Sequence, residues 1–97
     1  MFAFKAKIWK WPGMGSHASA GGWHFVHVPR EYFEPIRQKY GKGMIKITAT
    51  VGKTSWQTAL FPHLRDRSFL VSVNKKVRKV EGLGEGDEVR VKVRITR

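Results

Sequence analysis

The fold class predicted by the sequence is mainly β: a small six-stranded antiparallel barrel with two short helices. Three observations predict it. Apolar and polar residues alternate with a period of two in several separate runs. Clusters of Gly and Pro interrupt those runs at short intervals. The chain has 97 residues, which makes one domain that buries roughly two thirds of its unfolded surface around one modest core. Short alternating strands at this spacing close on themselves as a barrel.

The elements follow in order. In residues 2–8, Phe2, Phe4, Ala6 and Ile8 alternate with Ala3, Lys5 and Lys7, so the first set faces a core. Trp9 then falls on the lysine side. Residues 12–22, PGMGSHASAGG, combine a proline, glycines and small polar residues, and are expected to form a mobile loop. Residues 23–28 read as a second strand, ended by Pro29. Residues 30–33 read as one turn, followed by a short helix from Glu34 with Pro35 at its first position, where a missing N–H costs nothing. Phe33, Ile36 and Tyr40 share one face of it.

Residues 44–52 alternate again, with Ile45, Ile47, Ala49 and Val51 inward. Gly52-Lys53 is a two-residue hairpin turn with glycine at its first central position. The returning strand spans 54–61 and is expected to stop at Pro62. Residues 63–67 form a charged turn, and 68–73 a further strand. Asn74 is an N-cap for a second helix, in which Val77 and Val80 form a narrow apolar stripe. Residues 81–87, EGLGEGD, feed a strand and carry acids. They read as a turn, since a phosphate loop would feed a helix N-terminus. Residues 88–96 alternate most cleanly: Val89, Val91, Val93 and Ile95 inward, Arg90, Lys92 and Arg94 outward.

Composition narrows the function. The chain carries 19 Lys and Arg against 7 Asp and Glu, a formal net charge of +12. Residues 1–30 and 35–65 hold no acid. Such a body attracts polyanions. No cysteine is present, which points to a reducing compartment or a fold that needs no disulfides. Residues 1–8 have no continuous apolar core of a signal peptide, and no apolar run is long enough for a membrane span. A cytoplasmic location and no membrane contact are expected.

No catalytic, metal or cofactor constellation stands out. His24 and His27 are three apart on a strand, so they project to opposite faces and do not chelate together. The serines lack a nucleophile-elbow context. What the sequence offers instead is cations beside aromatics. In KIWKWPG, residues 7–13, Trp9 and Trp11 flank Lys10. Residues 74–79 hold Lys75, Lys76, Arg78 and Lys79, with Lys75 and Lys79 on one helical face. Aromatic stacking contributes roughly 1–3 kcal/mol per base, and phosphate contacts add a salt-dependent part. The plainer reading makes the tryptophans core or plug residues of a small barrel.

Four strings occur in order: FKAKIWKWPG at 4–13, GGWHFVHVP at 21–29, GKTSWQTALFP at 52–62 and KKVRKVEGLGEGDEVRVKV at 75–93. Together they resemble, nearly end to end, a bacterial family of domains of unknown function, number nineteen-oh-five. The resemblance implies a small barrel similar to the double-split barrels, and it implies no activity. Its motif positions include the polar residues His24, Arg37 and Arg78 beside Trp9 and Trp56. One arrangement they allow is a pocket of Trp9, His24, Trp56 and Arg37. The other pairs Arg37 and Arg78 with acids such as Glu34 and Glu81.

The functional expectation is a non-enzymatic basic binding domain with nucleic acid as ligand. Lys75, Lys76, Arg78, Lys79, Arg90, Lys92 and Arg94 would contact phosphates, and Trp9 and Trp11 would stack. Two alternatives belong to other classes. One is a module that offers a strand edge or aromatic cleft to an acidic protein or peptide. The other is an enzyme or binder of a small acidic ligand in the Trp/His/Arg pocket.

Overall fold

The computed structural model describes residues 2–10, 24–41 and 43–96. The predicted loop at 12–22, Trp11 and Trp23 lie outside them. The elements are β1 (Phe2–Lys7), β2 (Trp9–Lys10), β3 (His24–His27), a 3-10 turn (Arg30–Tyr32), α1 (Phe33–Tyr40), β4 (Ile45–Val51), β5 (Thr54–His63), β6 (Ser68–Ser72), α2 (Lys75–Glu81) and β7 (Glu88–Ile95). The strands form one antiparallel sheet in the order β1-β7-β4-β5-β6-β3-β2. This is a nearly closed barrel with two short helices.

The count is seven strands where periodicity predicts six, because the first run divides at Ile8. Up to Lys7 the run pairs with β7, from Phe2 opposite Val93 to Lys7 opposite Glu88. From Trp9 onward it pairs with β3 at the far end of the sheet. Ile8, 1% exposed, is the hinge of this exchange. Its N–H donates to the Asp87 carbonyl (2.9 Å) and its carbonyl accepts from Gly86 N–H (2.7 Å). The 84–87 turn is itself tied by Gly84 N–H to the Asp87 carboxylate at 2.8 Å, and Gly86 sits at φ +90°, where an L side chain is disfavoured. One run thus joins both ends of the sheet. β1 and β3 come side by side without a ladder, leaving a seam.

The inward phase of the alternation fills the barrel. Ile45, Ile47, Ala49, Leu60, Val71, Val91 and Val93 are completely or almost completely buried with Val26, Val28 and Phe69. α1 leads into the start of β4 and inserts Phe33 against Phe69, with ring centroids 5.0 Å apart. Ile36 is buried beside them and Tyr40 packs on the core. The other helix covers the opposite end. The Asn74 side chain accepts a bond from Val77 N–H (2.9 Å) and caps α2, and Gly82 closes it in the left-handed conformation at φ +66°. At that end the Glu81 carboxylate accepts from the Thr54 hydroxyl. It also lies where a Cβ on Gly52 would stand. The Gly52-Lys53 turn, with Gly52 at φ +59°, needs its glycine for that backbone conformation, while the Glu81 carboxylate, the end of a flexible side chain, can swing aside.

Two expectations are corrected. β5 does not stop at Pro62 but runs on to His63. β4 pairs only as far as Leu60, so Pro62 lies where β5 has a neighbour on one side alone, and a missing donor is tolerated there. Val80 is 64% exposed, so the α2 stripe reduces to Val77. A helix of seven residues presents little more than one contact to the barrel.

Candidate functional site

Two surfaces bring chemistry-bearing side chains together. The first is the outer face of β1, β7 and β4. Because Val89, Val91 and Val93 point inward, Arg90, Lys92 and Arg94 point outward and are exposed. The register sets Lys5 opposite Arg90, Ala3 opposite Lys92 and Lys7 opposite Glu88. On the other side Thr50 stands opposite Lys92 and Thr48 opposite Arg94. Lys46 closes the row, where its carbonyl accepts from Thr96 N–H (3.1 Å). Six cations therefore share one sheet face with a single acid, Glu88. Among the described residues none of the six forms an ion pair. Directly opposed residues lie roughly 5 Å apart, and like charges there repel, so the Lys5–Arg90 pair favours an external anion. Two shallow depressions run along this face. One of about 400 Å³ is lined by Thr50, Gly52, Arg90 and Lys92. Another of about 210 Å³ is lined by Thr48, Thr50, Ser55, Lys92 and Arg94.

The second surface flanks the seam. The Trp9 ring stacks on His27 (centroids 5.1 Å, 14° between planes) and leans on Phe25 at 5.5 Å. His27 Nδ1 lies 3.3 Å from Ser68 Oγ, and His63 Nδ1 lies 3.1 Å from the Asp66 carboxylate. The two imidazoles meet edge to face at 6.3 Å. Burial holds the His27 pKa below its ordinary value. Asp66 opposes that shift, while His63 and Arg30 reinforce it. A cleft of about 390 Å³ opens at the seam, and Lys5, His27, Arg30, Asp66 and Ser68 are among the residues that line it. Asp66 orients His63 and not His27, and Ser68 is 2% exposed. The four side chains thus form two separate pairs, not a Ser-His-Asp relay. Among the described residues, no three of His, Cys, Asp and Glu converge to hold a metal ion.

The residues singled out from sequence divide between these surfaces and elsewhere. Trp9 belongs to the seam, where one face of its ring is covered by His27. Lys10 is exposed opposite His24. His24, 8% exposed, has Nε2 3.4 Å from an Arg78 guanidinium nitrogen. The Arg78 Nε–H donates to the Val73 carbonyl at 3.1 Å. Trp56 donates its indole N–H to the Ser72 carbonyl (3.2 Å) and packs on the core. Arg37 stands elsewhere, on α1, with its guanidinium 5.0 Å from the Phe33 ring centroid. Neither acid suggested as a partner pairs with the expected arginine: Glu34 pairs with Arg67, and Glu81 is held by Thr54. Lys75, Lys76 and Lys79 are exposed on α2, which caps the barrel end and contributes nothing to the β1–β7–β4 row.

Sequence reading missed Lys5, Lys7 and Lys46 as companions of the β7 cations. Their outward phase was visible, but strand neighbours were not. It also missed Arg30, three residues beyond His27 in the chain, and His63, Asp66 and Ser68, which reach His27 only through the β3–β6 and β5–β6 pairings. No helix among the described residues is long and apolar enough to cross a membrane. A family model described as a domain of unknown function, DUF1905, matches residues 4–93. No curated protein gives a significant match to the chain.

Proposed function

Since the chain belongs to the DUF1905 family, a domain of unknown function, we propose its role from its surface: a non-enzymatic module that binds a nucleic acid along the outer face of β1, β7 and β4. One observation carries this reading. Lys5, Lys7, Lys46, Arg90, Lys92 and Arg94 stand together on a single sheet face without ion-pair partners among the described residues. Phosphates would neutralise a row of cations whose own repulsion works against the fold. Thr48, Thr50 and Ser55 add hydroxyls along the same face. The contacts are to the phosphate backbone, which gives affinity without sequence preference. Trp9 lies off this row, and one face of its ring is already taken by His27.

Fluorescence anisotropy of labelled single-stranded and duplex oligonucleotides, across salt, tests the proposal. Six phosphate contacts predict a log–log salt slope of about −5 on duplex DNA. Flat titrations at about 50 mM salt would refute it. Binding of an acidic peptide with little salt response would transfer the favour to a protein partner at a strand edge.

A further inference from the structure

We propose that the cleft at the β1–β3 seam is a subsite for a terminal phosphate group, a phosphomonoester. For a ligand that is the end of a nucleic-acid strand, this rests on the sheet-face reading above. For a free phosphomonoester it stands alone.

The chemistry comes from four elements, β1, the 3-10 turn, β3 and β6. Lys5 from β1 and Arg30 from the 3-10 turn both line the cleft and bring two cations to it. A terminal phosphate carries close to two negative charges near neutral pH, against one for a backbone diester. Two cations lining one cleft suit the first better than the second. His27 and Ser68 line the same cleft and hold each other at 3.3 Å. The one acid in the cleft, Asp66, is engaged by His63 at 3.1 Å. The volume of about 390 Å³ falls within the range of small-ligand sites, about 300–1,000 Å³. It exceeds the need of a phosphate alone and leaves room for a sugar.

Position adds a second reason. Lys5 lines this cleft and also stands opposite Arg90, at one end of the Arg90–Lys92–Arg94 row. A strand laid along that row reaches Lys5 where the sheet ends at the seam. Its last phosphate would leave the face and enter the cleft that Lys5 also lines. The lowered pKa of His27 gives the site a reporter, because a bound dianion favours the imidazolium and pulls the ring back toward protonation.

The test has two arms on the full chain. In the first, NMR follows the His27 imidazole and the Arg30 and Ser68 amides during titration with inorganic phosphate and with a nucleoside 5′-monophosphate. Saturable shifts at these three residues, larger than those at Lys92 and Arg94, are expected. In the second, anisotropy compares oligonucleotides of one sequence with a terminal phosphate or a terminal hydroxyl at each end. A preference of about tenfold for a phosphorylated end is expected, as charge-assisted hydrogen bonds of ordinary strength supply. Arg30→Gln should abolish the preference while leaving hydroxyl-ended binding within about twofold. Saturation by the mononucleotide without an end preference supports the cleft with a free phosphomonoester as its ligand. Equal affinity for both ends together with no saturable shift at His27 overturns the proposal. Loss of all oligonucleotide binding, with the His27 shifts intact, removes the sheet-face reading and keeps the cleft.

Discussion

The β1–β7–β4 face and the β2–β3–β6 side of the barrel share one inner core but treat their outward side chains in opposite ways. On β7, every outward residue is charged and exposed, and Arg90, Lys92 and Arg94 meet only threonines, Ala3 and another cation across the ladder. On the seam side, the outward residues hold one another: Trp9 on His27, His27 near Ser68, His63 on Asp66. The first surface leaves its charge unsatisfied within the molecule. The second has used most of its polar groups. An anion therefore gains most from long-range attraction on the first, and most from shaped contact on the second.

The sharpest way to break this contrast is the triple variant R90A/K92A/R94A. It removes three phosphate contacts, so the salt slope should fall by about 2.7 and affinity near 0.1 M salt by two to three orders of magnitude, roughly. Its denaturation midpoint should hold or rise slightly, since the residues are exposed and their mutual repulsion is removed. An unchanged slope would move the phosphate row elsewhere, with the α2 lysines first in line.

Ile8→Ala attacks the point where the two regions are joined. A side chain 1% exposed leaves a cavity, and a loss of about 3–4 kcal/mol in urea unfolding is expected. If the hinge is as central as its bonds to Gly86 and Asp87 imply, exchange protection should fall in β1 and β2 together. Asn74→Ala should cost about 1 kcal/mol through the lost cap on α2. That change should leave salt-dependent binding untouched, which separates the helix from the phosphate face. The smallest effect concerns pH. The folded pKa of His27 lies below its unfolded value, so the unfolded chain binds more protons, and stability is lost as pH falls below about 6.5. Chemical denaturation of the native chain and of His27→Gln, at about pH 7.5 and 5.5, should show a smaller acid loss in the variant.

Much of the fold was legible because the inward phase is unbroken within each strand. Val89, Val91 and Val93 announced β7 directly, and Asn74 announced α2. The division at Ile8 was not legible. Phe2, Phe4, Ala6 and Ile8 keep one phase throughout, and the exchange of partners is set by Gly86 and Asp87, far along the chain. The site divides in the same way. Sequence gave the outward cations of β7 but not their neighbours, since register is decided by pairing. His27 was visible as a histidine on a strand. Its meeting with Ser68 and His63 depends on two further ladders that bring together residues up to 41 positions apart. Arg78 illustrates the reverse case: a residue noticed for its charge spends its guanidinium on the Val73 carbonyl and on His24.

The hinge at Ile8 also dictates an order of assembly. β1 has no ladder partner other than β7, and the turn that holds Ile8 immediately precedes that strand. During synthesis the β4–β5 hairpin and its β6 neighbour can form while β1 waits, because their contacts are local and loop closure between them is inexpensive. Until β7 is synthesised, β1 lacks the ladder partner it has among the described residues. Lys5 and Lys7 on that strand, charged and facing water, are the residue type that discourages two such nascent chains from pairing with each other.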